Sequence, residues 1–299
     1  MKKRLCIFTA LLLICVNISG HAVSKHSLPV PPKAAVVFAS LASVKEGRYV
    51  SQHNSQNSIA DKSQLPPVNE QKPPINVEPS PKKVFLTFDD GPSGNTPKIL
   101  NILNANAAKA SFFVLGSCAE KYPDIVKSEY NNGMAVLNHS YSHSYSMYKS
   151  LETCKADFDK SHAVIRSILG IEPSGFIRFP GGSDNKVSKS DVMSCIRNDF
   201  ISNGINYVDW NVSSGDAEAV KVPAEVIKNN VIKQMAHKNL GVILMHDAGA
   251  KTTTVDALPS ILNYLKEQGY TFRTFNDITS SELNQMVENR IVNRGAAEK

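Results

Sequence analysis

The side chains with the most chemistry in this chain sit just at or beyond the ends of short apolar runs. Asp89 and Asp90 follow Val84–Phe88, and His139 and His143 follow Ala135–Leu137. Arg178 lies near the end of Gly175–Phe179, Asp209 near the end of Tyr207–Trp210, and His246 with Asp247 follows Val242–Met245. Taken singly, each has an ordinary reading: a carboxylate after a strand caps a turn, and an isolated H-x-x-x-H is commonly two surface histidines. Their repeated placement at one end of successive runs is what those readings leave unexplained.

Two imidazoles four residues apart on a helical turn project from one face and can reach a single ion. A carboxylate from another strand completes a His-His-Asp set with a fourth position open, the ligand count of a catalytic rather than a structural zinc. Zinc is the first expectation, and cobalt, nickel or manganese suit the same donors. Such a centre hydrolyses by acidifying water and polarising a carbonyl. Adjacent Asp89 and Asp90 point in different directions at a strand end, so one can bind metal while the other faces the water. His246, on another strand, can supply a proton to a leaving group. Gly181 and Gly182 allow a backbone N–H to approach a developing oxyanion.

The elements that must carry these residues alternate. Strands are expected at Val84–Phe88, Ala110–Leu115, Ala135–Leu137, Gly175–Phe179, Tyr207–Trp210, Val242–Met245 and Tyr270–Thr274. Helices are expected at Pro97–Asn104, Lys121–Asn131, Leu151–Leu169, Lys189–Asn203, Ala224–His237 and Val255–Gln268. Seven strands separated by helices imply an α/β fold with a parallel sheet, whose doubly buried strands read as continuous apolar runs. Closed into a barrel, the sheet gathers its chemistry at the C-terminal strand ends.

The chain has 299 residues and a formal charge of +6. Three of those charges are Lys2, Lys3 and Arg4, and residues 23–80 carry a further +2, leaving +1 for residues 81–299. A near-neutral main domain gives no reason to expect nucleic-acid binding. The basic start, the apolar run Leu5–Ile18 and the small-x-small exit Gly20-His21-Ala22 describe a secretory signal over residues 1–22. A retained anchor is the alternative, with a run short for a bilayer; once the signal is cleaved, no stable membrane span is expected. Residues 23–80 hold eight of the sixteen prolines and read as an extended linker. A catalytic domain follows over 81–280, then a polar tail over 281–299. Cys118, Cys154 and Cys195 remain after the signal and form no disulfide framework.

In this order the motifs resemble the polysaccharide deacetylases of carbohydrate esterase family four, the NodB homology domain. They are Thr87-Phe88-Asp89-Asp90-Gly91-Pro92, His139-Ser140-Tyr141-Ser142-His143, Arg178-Phe179-Pro180-Gly181-Gly182, Asp209-Trp210 and Leu244-Met245-His246. The resemblance spans about residues 81–280. It implies a distorted parallel (β/α)7-type barrel and hydrolysis of N-acetyl groups on amino-sugar polymers, by a chain expected to be monomeric. Carried over, it makes Asp90, His139 and His143 the metal ligands, Asp89 the general base and His246 the general acid. It makes Arg178 the partner of the base and Asp209 the residue that tunes the catalytic histidine. Trp210 and Leu244 become walls of an acetyl pocket. The family often has Tyr where this chain has Gly181, so a side-chain contact to sugar is absent at that position.

With the export signal, the expected substrate is an N-acetylated cell-wall polysaccharide, peptidoglycan first, acted on outside the cytoplasm at the wall. Chitooligosaccharide or another surface polysaccharide is the alternative substrate. A catalytically silent wall-binding module and a two-metal phosphodiesterase are the rival classes. The complete acid, base and metal set argues against the first, and the lack of a second ligand cluster against the other.

Overall fold

The computed structural model describes residues 81–295, so the expected signal peptide (1–22) and linker (23–80) lie outside the described residues. The central strand is β1 (Lys83–Asp89), paired in parallel along its whole length with β7 (Leu240–His246). On its other side the partner changes midway. β8 (Thr271–Arg273) pairs with Lys83–Phe85, and β2 (Ser111–Val114) pairs with Thr87–Asp89. From β2 the sheet continues through β3 (Ala135–Asn138), β4 (Phe176–Ile177) and β5 (Asn206–Tyr207). Beyond β7 it ends at β6 (Val212–Ser213). Every pairing between these strands is parallel, so helices cover the outer face as crossovers.

Strand alternation explains the continuous apolar runs. Val84, Leu86 and Phe88 point outward into the core shared with the helices, whereas Phe85 points inward with Phe113, Leu137 and Val242. The helices are α1 (Thr96–Ala105), α2 (Gly116–Lys121), α3 (Pro123–Asn131), α4 (Leu151–Leu169), α5 (Ser190–Ser202), α6 (Ala224–Met235), α7 (Thr252–Glu267) and α8 (Ser280–Glu288). α4 has the expected bounds because both of its ends are written locally. Ser150 and Thr153 form a reciprocal capping box, and Gly170 ends the helix in the left-handed region at φ 69°. The helix expected at Lys121–Asn131 is α3, which starts two residues later at Pro123; Tyr122 turns between it and α2, whose last residue is Lys121.

The two-residue edge strands β5 and β6 are joined by Val208–Asn211 and share no ladder, so the sheet is a curled half-barrel rather than a closed one. The expected strand Tyr207–Trp210 is shortened because its carbonyls are diverted: Val208 and Asp209 accept from the Arg178 guanidinium. The C-terminal segment occupies this opening. Val208 bridges Val292 in antiparallel fashion, and the Asp209 N–H donates to the Ile291 carbonyl at 2.7 Å.

The polar tail expected from residue 281 is therefore corrected. α8 begins with a Thr279–Glu282 capping box and buries Met286, and Ile291 and Val292 follow into the inner core beside Phe85 and Phe275. Buried Glu282 pairs with Lys83 at 3.2 Å and Arg273 at 3.1 Å, tying the helix to β1 and β8. The domain runs at least to Arg294, which reaches back to the loops above the barrel.

Candidate active site

All the chemistry gathers at the C-terminal rim of the parallel strands. The register of β1 and β7 sets Asp89 directly opposite His246, so an acid and an imidazole face each other across adjacent strands. Asp89 is buried, and one of its carboxylate oxygens accepts from Arg178 Nη1 at 2.7 Å. Burial pushes the Asp89 carboxyl above its ordinary value, while the Arg178 charge and hydrogen bond pull against that rise. The expected contact between Arg178 and Asp89 is made at that distance.

Arg178 organises more than one neighbour. Its fully buried guanidinium also donates to Thr87 Oγ1 at 2.8 Å, to the Val208 carbonyl at 3.0 Å and to the Asp209 carbonyl at 3.2 Å. It lies over the Phe113 ring, 4.1 Å from the centroid. Its backbone carbonyl faces His139 Nδ1 at 2.8 Å, which places the proton on Nδ1 and leaves Nε2 as a free lone pair. Burial lowers the His139 pKa to about 3, so the ring stays neutral, as a metal ligand requires.

Asp90, His139 and His143 present one ligand atom each, all within 4.8 Å of one another. Asp90 Oδ1 stands 3.5 Å from His139 Nε2 and 3.3 Å from His143 Nε2, yet it is buried without a hydrogen-bond partner. An unpartnered buried carboxylate oxygen facing two imidazole nitrogens fits a cation, because a cation can satisfy all three. The local backbone is bent to aim them. Asp90 has φ 72°, Ser140 φ 77° and His143 φ 55°, all in the left-handed region that side chains seldom adopt. The helical turn expected to present the two histidines is corrected to this loop. Asp157 holds it by accepting from the N–H groups of Tyr141 and Ser142 and from the Ser142 hydroxyl. Gly91 must lack a side chain, since a Cβ there would run into the buried Asp247 carboxylate.

The residue that tunes His246 is Asp216, and the assignment of that role to Asp209 is corrected. Asp216 Oδ1 lies 2.7 Å from His246 Nδ1, and Oδ2 accepts from the His246 N–H at 2.7 Å and from Thr254 Oγ1 at 2.8 Å. Burial opposes a charge on His246, but the Asp216 hydrogen bond and charge, with Asp89 and Asp90 beyond, raise its pKa to about 9. For Asp216 burial works in the opposite direction, and the paired imidazole still holds its carboxyl below the ordinary value. The sequence hides this role. Asp216 follows a strand of only two residues, too short to show a period, and reads as an ordinary turn aspartate.

Asp209 does other work. Its carboxylate accepts from the Ser183 N–H at 2.8 Å and from the Ser183 hydroxyl at 2.5 Å, and Arg294 Nε lies 3.5 Å away. It therefore pins the Gly181-Gly182-Ser183 turn to the strand end. Gly182 sits against Trp210, where a Cβ would come within 3.2 Å of the indole. Trp210 is partly buried beside the inner core, and Leu244 is buried one turn of the pleat below His246.

Comparison with known proteins places the chain. Residues 76–195 match the polysaccharide deacetylase family. The chain is 32% identical to a peptidoglycan-N-acetylglucosamine deacetylase of Bacillus cereus over 272 residues, which are 86% of this chain and 96% of that protein. The catalytic domain of a peptidoglycan N-acetylglucosamine deacetylase from Eubacterium rectale superimposes with a TM-score of 0.62 at 36% identity, covering 69% of this chain and 92% of that one. A polysaccharide deacetylase from Bacillus cereus superimposes with a TM-score of 0.59 at 34% identity, covering 66% and 93%. The barrel, the rim of acids and imidazoles and these likenesses agree: the chain belongs to the polysaccharide deacetylase family, hydrolases of N-acetyl amide bonds.

Proposed function

We propose that the chain is an exported, metal-dependent deacetylase of peptidoglycan, removing acetyl groups from its amino sugars. The observation that carries this reading is the facing pair Asp89 and His246 beside the Asp90, His139 and His143 ligand atoms. The likeness to peptidoglycan deacetylases supports the polymer, and the signal-like residues 1–22 support export. Asp90, His139 and His143 would hold a divalent cation, zinc in the first place, which when bound acidifies water and polarises the acetamide carbonyl.

Asp89, ionised against Arg178, takes the proton of the attacking water. The Gly181 N–H, in a turn anchored by Asp209 through Ser183, would donate to the oxyanion that forms on the former carbonyl. His246, protonated through Asp216, gives its proton to the departing nitrogen as the C–N bond breaks. The products are acetate and a sugar with a free amine, so one water is consumed per acetyl group. Trp210 and Leu244 wall the space for the acetyl methyl. The test is acetate release by the full chain from purified peptidoglycan and from N-acetylglucosamine oligomers, with chelator and after zinc is restored. Zinc-restored release, greater from peptidoglycan, supports the reading; release confined to the oligomers moves the substrate to a chitin-type polymer, and no release from either refutes it.

A further inference from the structure

The C-terminal segment that fills the barrel opening ends in a side chain that reaches back over the rim. Beyond α8 the chain passes twice through the left-handed region, at Arg290 and Asn293, both with φ 56°. It then lies along the residues around β5. The Asn293 N–H donates to the Tyr207 carbonyl at 3.0 Å, and the Tyr207 N–H donates to Asn293 Oδ1 at 3.2 Å. The Tyr207 hydroxyl donates to the Arg294 carbonyl at 2.8 Å, so the backbone that carries Arg294 is fixed.

The Arg294 guanidinium touches the loops on both sides of the oxyanion turn. Nη1 donates to Asp184 Oδ2 at 3.2 Å, and Nη2 donates to the Trp210 carbonyl at 3.3 Å. Nε donates to the Arg290 carbonyl at 2.9 Å and lies 3.5 Å from Asp209 Oδ2. Among the described residues, Arg294 is the cation paired with the buried Asp209 carboxylate, and a buried charge needs such a partner. Asp209 in turn takes the N–H and the hydroxyl of Ser183, while Arg197 of α5 donates to the Ser183 carbonyl at 2.7 Å. One planar fork thus ties the C-terminal segment to the Gly181–Ser183 turn and to Trp210, which the single ammonium of a lysine could not do. None of its contacts is with Asp89, the three ligand residues, Asp216 or His246.

We propose that Arg294 is a positioning residue for the deacetylation. By clamping Asp184, Asp209 and the Trp210 carbonyl, it holds the Gly181 N–H and the Trp210 indole in the arrangement that the tetrahedral oxyanion needs. This inference rests on the reading in which the Gly181 N–H meets that oxyanion.

The test compares the zinc-loaded full chain with Arg294→Ala and Arg294→Lys. Losing one oxyanion donor outright costs about 10²–10³ in kcat, so loosening its turn should cost Arg294→Ala about ten- to a hundredfold. KM should stay within about twofold and the alkaline limb of the pH profile should not move, because neither the ligand residues nor the Asp216–His246 pair is touched. Arg294→Lys should recover part of the loss, and added ethylguanidinium should restore part of kcat to Arg294→Ala alone, a rescue that a collapsed fold would not show. Trp210 is the sole tryptophan, so its quenching by acrylamide reports the clamp without turnover and should increase in Arg294→Ala. Unchanged kcat, a loss carried by KM, a shifted alkaline limb, or failure of both rescues overturns the proposal. No acetate from the parent chain on any substrate refutes the deacetylase reading, and Trp210 quenching then still decides the clamp, which unchanged quenching overturns.

Discussion

Replacing Asp216 by Asn removes one charge and keeps the shape of the side chain, and the structure says how activity should then depend on pH. His246 has a pKa of about 9 with Asp216 ionised beside its Nδ1. Without that charge it falls toward the ordinary imidazole value of about 6.5. At pH 8 the proton donor would be about nine-tenths charged in the parent chain and about 3% charged in the variant, a loss of about thirtyfold in kcat/KM. At pH 5.5 both chains hold the proton, so most of the gap closes. Cation bound at Asp90 offsets that residue's share and draws both alkaline limbs down, but the difference between the chains comes from Asp216 and persists. The assay is kcat/KM for acetate release from pH 5 to 10. A uniform loss across that range, or an alkaline limb that does not move, refutes the placement of Asp216 behind the acid. Stability follows the same sign. A raised folded pKa stabilises fully below about 6.5 and is lost as pH rises through about 9, so the cation-free parent should lose on the order of 2–3 kcal/mol more than Asp216→Asn across that window, read by urea denaturation.

The neighbouring aspartates should separate cleanly. Asp90→Ala should lose zinc binding by calorimetry together with activity, whereas Asp89→Asn should keep zinc and lose at least about a hundredfold in kcat. Asp209→Asn should lower kcat by weakening the hold on Ser183 and Arg294 while leaving the alkaline limb in place; a shifted limb would return Asp209 to the role of tuning His246. Met286→Ala empties a fully buried position among Phe85, Phe113 and Phe275, so urea denaturation should register about 2–5 kcal/mol of destabilisation. A fraying tail would show none.

Much of the site is legible in the sequence because its residues sit beside long, strongly apolar strands. Val84–Asp89 and Val242–His246 announce themselves by continuous burial, and their pairing then dictates that Asp89 and His246 face each other. What escapes the sequence is carried by short or irregular backbone. β6 has two residues, so Asp216 beyond it carries no periodic signal. The histidine loop is aimed by positive φ at Ser140 and His143, which no helical spacing expresses. α8 buries only Glu282 and Met286, and its polar neighbours Glu288, Asn289 and Arg290 conceal a plug that tertiary contacts create. Asp209 next to the sole tryptophan is visible as a rim residue, but which neighbour its carboxylate serves depends on where the Gly181–Ser183 turn lands. Residue types and strand ends are local facts, whereas roles within the rim depend on how the loops cross it.

The most direct test of the central claim is to measure acetate and newly formed primary amine in the same peptidoglycan sample, treated with the zinc-loaded full chain and with its Asp89→Asn variant. Equal molar amounts of the two products are expected from the parent chain and neither from the variant. Acetate without amine would mean ester rather than amide cleavage, and unchanged release by the variant would remove Asp89 from the chemistry; either result contradicts it.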